Sequence, residues 1–262
     1  MRAPRRRLRE TPIADRETAA DNVAPETGGN HALMAHRDRR SLRRGPDVSG
    51  VPQIPDVVRI TGYWSGLAAA SAVVAYDVVQ LLQVAGVLRF PLDEMLIFGT
   101  SMCIVVPFLL EMLAFHHVTS ADKKFWTHAA LLLTVIYAVF VTANYVVQLA
   151  TVIPSKLNGT SEAIRVLEQT PHSLFWNFDA IGYVCMGLAA LMAAPALATV
   201  GFGRWVRISA LAHALVTPLI AIVYFYPTYS QNLLFLGLPW AVTAPVFMMM
   251  LAIHIRRETE AG

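Results

Sequence analysis

From its amino end the chain is polar and charged for nearly sixty residues, and then the pattern inverts. Beyond that point long apolar runs alternate with short polar breaks. A helix rising 1.5 Å per residue needs about 20 apolar residues to cross a ~30 Å hydrocarbon layer. Six runs meet that requirement, at 60–88, 94–117, 126–153, 173–197, 205–226 and 232–255. They are too long and too continuous for transmembrane strands. Most of the breaks between them are only a few residues long, and short links join antiparallel neighbours. The pattern therefore predicts an all-α, polytopic transmembrane helical bundle of six spans.

One break is long, at 154–172. Within it Thr160-Ser161 precedes Glu162 and two apolar pairs, Ala163-Ile164 and Val166-Leu167. That order predicts a capped short helix. Ile164, Leu167 and Glu168 would share its face, so it either lies across the outer mouth of the bundle or serves as a plain interfacial connection. Pro107, Pro195, Pro218, Pro239 and Pro245 fall inside the runs, where proline frees a carbonyl and kinks a helix. The last run, holding two of them, is the one expected to bend.

The first 58 residues predict a disordered, Arg-rich tail. Arg5-Arg6-Arg7 and a second block from Arg37 to Arg44 stand among prolines and acids, with too little apolar surface to offset the entropy of ordering. No apolar stretch follows the first arginines, so no cleavable signal is expected. Met34 is an alternative start, which would leave the first 33 residues untranslated. The transmembrane domain then covers 59–257, and 258–262 form a short C-terminal tail.

Composition agrees with this division. The 262 residues are 55% apolar and 15% charged, against about 25% charged in soluble domains, and mean hydropathy is +0.49. A soluble enzyme, a disulfide scaffold and a wholly disordered chain are excluded. Cys103 and Cys185 lie in apolar runs without CxxC spacing, so neither a metal site nor a redox pair is predicted. Asp15, Glu17, Asp21 and Glu26 dilute the basic tail, which argues against nucleic acid. Its arginines either set topology or touch anionic headgroups, at about 1 kcal/mol each near the surface.

Basic residues mark the cytoplasmic side of a span. Arg59, Lys123, Lys124, Arg204, Arg207, Arg256 and Arg257 gather on the even side. The odd side has Arg89 beside Asp93 and Glu94, and Lys156 and Arg165 balanced by Glu162 and Glu168. Both termini are thus expected in the cytoplasm.

Ionisable groups at membrane depth are costly and usually face protein or water. In the outer half, the first span carries Asp77 and Gln80 near Tyr76 and Gln83. The third carries Asn144 and Gln148 near Tyr145, and the fourth carries Asn177, Asp179 and Tyr183 near Trp176. Residues three or four apart share a helix face. An outward-facing polar pocket between these three spans is therefore predicted, with Asp77 and Asp179 as its ionisable centre and no basic partner at that depth. Such carboxyls could share one proton if they meet. The alternative is interhelical hydrogen bonding without a pocket, at about 0.6 kcal/mol per bond.

The inner half offers Glu111, His116 and His213 as secondary candidates. A haem pair needs facing histidines at two depths, and the fourth span has none except His172 at its outer end, so no cofactor is predicted. His213 reads as a core histidine. No phosphate loop, dinucleotide glycine pattern, HExxH or GxSxG motif occurs.

Residues 144–149 (Asn-Tyr-Val-Val-Gln-Leu), 171–176 (Pro-His-Ser-Leu-Phe-Trp), 179–183 (Asp-Ala-Ile-Gly-Tyr) and 193–195 (Ala-Ala-Pro) carry a resemblance. Together they resemble an uncharacterised family of bacterial six-helix integral membrane proteins. The resemblance covers about 60–255, implies a bacterial inner membrane and supplies no catalytic residue. Three functions stay open. One is binding or proton-linked transport of a small-molecule ligand. A second is intramembrane catalysis on a lipid or amphiphile by a carboxylic acid. The third is a partner-binding subunit without a pocket, whose only assured partner is the lipid bilayer.

Overall fold

Short links force consecutive spans to be neighbours, and the computed structural model, which describes residues 56–257, is built on that constraint. All but three residues of the expected tail, and the whole of 258–262, lie outside the described residues. The helices are α1 (Asp56–Val84), α2 (Leu92–Val118), α3 (Lys124–Val147), α4 (Ile153–Leu157), α5 (Leu174–Ala193), α6 (Gly201–Phe225) and α7 (Leu238–Arg257). A π turn over Gln148–Val152 joins α3 to α4, so Ala121–Leu157 is one span. Among the described residues there are six helical segments long and apolar enough to cross a membrane.

The spans close into a ring. Each packs on the next in chain order, α1 on α2, α2 on α3, α3 on α5, α5 on α6 and α6 on α7, and α7 returns to pack on α1. Glycine makes the closing contact possible. Gly62 and Gly66 stand one turn apart on α1, where small residues let helix backbones approach. A Cβ on Gly62 would lie 2.5 Å from Ala114 Cβ of α2 and 3.1 Å from Ile255 Cγ2 of α7. A Cβ on Gly66 would run into the Glu111 carboxyl and come within 2.7 Å of Ala252 Cβ.

Large side chains fill the core on the half toward the basic residues. Phe108, Met112, Phe115, Phe247, Met248 and Leu251 are all buried there. The outward faces are the reverse of a soluble surface. Trp64, Val74, Val106, Val139, Leu215 and Val242 are all more than half exposed. A soluble monomer does not carry so much contiguous exposed apolar surface, and lipid is the solvent that suits it. At the basic end Arg256 lies 4.7 Å from the Tyr63 ring centre and Arg257 4.3 Å from that of Phe202. Aromatic and basic side chains are commonly paired in this way at a membrane interface.

The expected boundaries shift in three places. α1 stops at Val84 rather than 88, because Gly86 adopts a left-handed conformation with φ +70° and ends the helix. Pro195 closes α5 in a 3₁₀ turn (Ala194–Ala196) instead of interrupting it. Pro239 falls in the first turn of α7, where a missing N–H costs nothing. Pro107, Pro218 and Pro245 do lie inside helices. The long link forms a 3₁₀ segment over Ser161–Leu167, and Thr160 makes no side-chain cap. Cys185 is buried, whereas Cys103 is exposed on the outer face of α2.

Candidate functional site

At the end of the bundle away from the basic cluster, the first turns of α5 present Trp176, Asp179 and Tyr183 along one face. Ser173 starts that helix, its Oγ accepting from the Trp176 amide at 3.2 Å. Asp179 is only 4% exposed. Its Oδ2 accepts from Tyr224 Oη of α6 at 2.5 Å and from Gln169 Nε2 at 3.1 Å. Its Oδ1 accepts from Tyr145 Oη at 3.0 Å and Asn144 Nδ2 at 3.4 Å. Four donors match the roughly four lone-pair sites of an ionised carboxylate.

A second tier holds those donors. Asn144 Nδ2 also donates to Gln169 Oε1 at 2.8 Å, and Gln148 Nε2 donates to the Leu167 carbonyl at 2.8 Å. The Gln169 amide donates to Gln148 Oε1 at 3.2 Å. The long link is thereby tied to the C-terminal end of α3, where the π turn begins. Single π turns inside helices recur at functional sites.

Above Asp179 lies a partly open chamber of about 290 Å³, to which every span contributes a wall. Its rim carries Lys156, whose Nζ lies 3.0 Å from Glu94 Oε1 and 3.9 Å from Glu168 Oε2. A second cavity of about 420 Å³ adjoins it, lined chiefly by apolar groups of α1, α6, α7 and the 3₁₀ segment Gln231–Gly237. Tyr76, Gln80, Tyr183, Val223, Tyr224 and Leu234 line both and form the partition. Along α1, Tyr76 Oη donates to Gln80 Oε1 (3.0 Å), Gln80 Nε2 to Gln83 Oε1 (3.2 Å), and Gln83 Nε2 to Asp93 Oδ2 (3.1 Å).

An aromatic sheet runs through both cavities. Trp176 packs on Tyr224 with ring centres 4.6 Å apart and meets Tyr229 edge-on at 5.8 Å. Its Nε1 donates to the Tyr224 carbonyl at 3.1 Å, which fixes the indole. Tyr183 stacks at 6.3 Å on Tyr224 and meets Trp240 at 5.1 Å, and Trp240 meets Tyr76 at 5.9 Å.

The structure brings Gln80, Gln148, Asp179 and Tyr183 to the chamber and sets Asn144 directly beneath Asp179. Two candidates fall elsewhere. Asp77 is half-buried, lines the apolar groove and accepts no hydrogen bond among the described residues, so the two carboxyls form no pair. Asn177 lines neither cavity, because two residues along a helix is a turn of about 200° away from Asp179. Lys156 reaches the rim from α4, where it pairs with Glu94 and Glu168 rather than with Asp77 or Asp179. Tyr224 and Gln169 were not among the predicted residues, and both bond Asp179.

The inner candidates stay separate. Glu111 is wholly buried between Gly66 and Ala252, and among the described residues no side chain bonds its oxygens. His116 Nδ1 pairs with Thr127 Oγ1 at 2.8 Å, beside the ring of His128 at 5.6 Å. His213 Nδ1 pairs with Thr243 Oγ1 at 3.2 Å and stacks on Phe247 at 6.0 Å. No group of three or more His, Cys, Asp or Glu among the described residues is arranged to hold a metal ion.

Comparison with protein-family models, with curated proteins and with solved structures returns no match. What the site can do therefore rests on its own chemistry. It offers a buried carboxylate met by four protein donors, amides that orient, and aromatic faces beside an opening large enough for a small organic molecule.

Proposed function

We propose that the chain is a multi-pass protein of a bacterial inner membrane that binds a small solute in the chamber above Asp179, approached from the extracytoplasmic side. The observation that carries this reading is the convergence of donors from α3, α6 and the long link on one carboxylate at the floor of a cavity. Polar groups that only glue helices together have no need of an opening beside them. The sidedness follows from charge: the opposite end holds Arg59, Lys123, Lys124, Arg204, Arg207, Arg256 and Arg257, and basic ends stay in the cytoplasm. The inner half beneath the site is filled by buried Phe108, Met112, Phe247 and Met248. Passage of a solute across the membrane would require that half to repack, so binding is the step this arrangement supports.

The test is thermal unfolding of the purified protein in lipid nanodiscs with millimolar organic cations, amino acids, carboxylates and sugars, each class in turn. A solute at ten times its Kd stabilises by about 1.4 kcal/mol, a shift of several degrees. We expect one class to raise the midpoint in wild type and to lose that effect in Asp179→Asn. No shift with any class would contradict the reading.

A further inference from the structure

We infer that the ligand is a quaternary ammonium compound bearing an apolar chain, with its head in the chamber and its chain in the adjoining groove. This rests on the solute-binding reading of the same site and narrows it to one chemical class. Three independent features of the geometry lead there.

The first is charge. Three carboxylates line the chamber, Asp179, Glu94 and Glu168, against a single ammonium, Lys156, which both rim acids already engage. The cavity carries a surplus of negative charge, and the groove beside it adds Asp77. An anionic solute would meet repulsion with no free cation to receive it.

The second is the aromatic sheet. Trp176, Tyr224, Tyr183 and Tyr76 present ring faces and edges around the opening, with Tyr229 at one margin and Trp240 at the other. Ring faces attract cations through the quadrupole, and aromatic cages are the usual receptors for ammonium groups without N–H bonds.

The third feature distinguishes a quaternary from a primary ammonium. Asp179 already accepts from Tyr224, Tyr145, Asn144 and Gln169. Its lone-pair sites are occupied and the rim acids Glu94 and Glu168 are turned to Lys156, so an ammonium N–H in the chamber finds no open carboxylate, the open one, Asp77, lying in the apolar groove. A quaternary head has no N–H to satisfy and needs only the field of the carboxylate and the rings. The apolar chain follows from continuity, because the partition residues face both cavities and the groove beyond them is walled by Leu81, Val84, Ile220, Phe235 and Leu238.

Calorimetric titration of the full chain in nanodiscs tests this with four probes: tetramethylammonium, hexyltrimethylammonium, hexylammonium and hexanoate. Hexyltrimethylammonium is expected to bind at least about tenfold more tightly than tetramethylammonium, because it buries several methylenes. It should also exceed hexylammonium, and hexanoate should show no saturable heat. Asp179→Asn should weaken it about tenfold. Trp176→Phe should stay within about threefold of wild type, and Trp176→Leu should lose about tenfold, since only the former keeps a ring face. The Trp176 pair decides the matter even if Asp179→Asn fails to fold. Equal binding of hexylammonium or hexanoate, no benefit from the chain, or indifference to Trp176→Leu would overturn the inference. If another solute class shifts unfolding through Asp179 while the quaternary probes fail, this inference falls and the solute-binding reading stands. Silence of every class removes both.

Discussion

Asp179 and Asp77 are carboxyls at the same end of one bundle, yet only the first is embedded in donors. Replacing Asp179 with Asn turns an NH₂ group toward either Asn144 Nδ2 or Gln169 Nε2, each of which only donates, so at least one buried donor is stranded at a cost of about 1–3 kcal/mol. Asp77→Asn disturbs no bond and should change stability by less than about 0.5 kcal/mol. Chemical unfolding of the two variants in mild detergent checks this, and equal losses would contradict the assignment of Asp179 as the organising residue. Thr217 gives a prediction of opposite sign. Its Oγ1 is buried against Gly187 without a partner among the described residues. Thr217→Val keeps the shape and removes the orphan hydroxyl, so the same measurement should show a gain of about 1 kcal/mol. At this scale the sequence was legible where a polar residue breaks an apolar run, as Asn144, Gln148 and Asp179 do. It was opaque where polarity is ordinary. Tyr224 lies near a membrane interface, where tyrosine is common, and Gln169 lies in a link, so neither stood out. Asn177 was drawn in by proximity to Asp179, although helical rotation turns it elsewhere.

Among the elements, α1 illustrates how packing overrides composition. Its apolar run continues to 88, but the helix ends four residues earlier because Gly86 turns the chain. Its contact with α2 and α7 depends on two glycines that hydropathy does not distinguish from any others. Gly66→Ala should cost about 1–3 kcal/mol, since the new methyl must displace the Glu111 carboxyl or the Ala252 methyl. Gly99 on α2 has nothing within contact distance, so Gly99→Ala should instead gain up to about 1 kcal/mol from helix propensity. Unfolding midpoints of the two alanine variants should therefore move in opposite directions, and a parallel shift would refute the close approach at Gly66. Neither the π turn at Gln148–Val152 nor the 3₁₀ segment at Gln231–Gly237 has a sequence signature. Both are set by what the neighbouring spans allow. The short link helix anticipated at Thr160 is likewise a 3₁₀ segment, since no side-chain cap holds its first turn.

For the whole molecule, six spans and their antiparallel order were legible because the bilayer imposes a length and short links impose adjacency. An outward polar pocket was expected between the first, third and fourth spans, but ring closure and the walls added by the second and fifth spans were not, because both depend on which helix faces meet, and amphipathic periodicity is faint when lipid and core are equally apolar. The arrangement predicts that a fluorescent protein fused at the C-terminus is bright in the cytoplasm and that Ser155→Cys reacts with impermeant reagents from outside. The reverse result would turn the chamber inward and remove its proposed access. The central claim is that water reaches the partition through the chamber. It is tested most directly by thiol labelling in intact cells, with the native cysteines removed by Cys103→Ser and Cys185→Ala. Gln80 and Val78 lie at nearly the same depth of α1, but Gln80 lines the chamber and Val78 is half exposed on the outward face. Only a thiol in contact with water ionises and reacts readily. Gln80→Cys should therefore react with a charged methanethiosulfonate from the extracytoplasmic side at least about tenfold faster than Val78→Cys. Equal rates at the two positions, or no reaction at Gln80→Cys, would contradict the account.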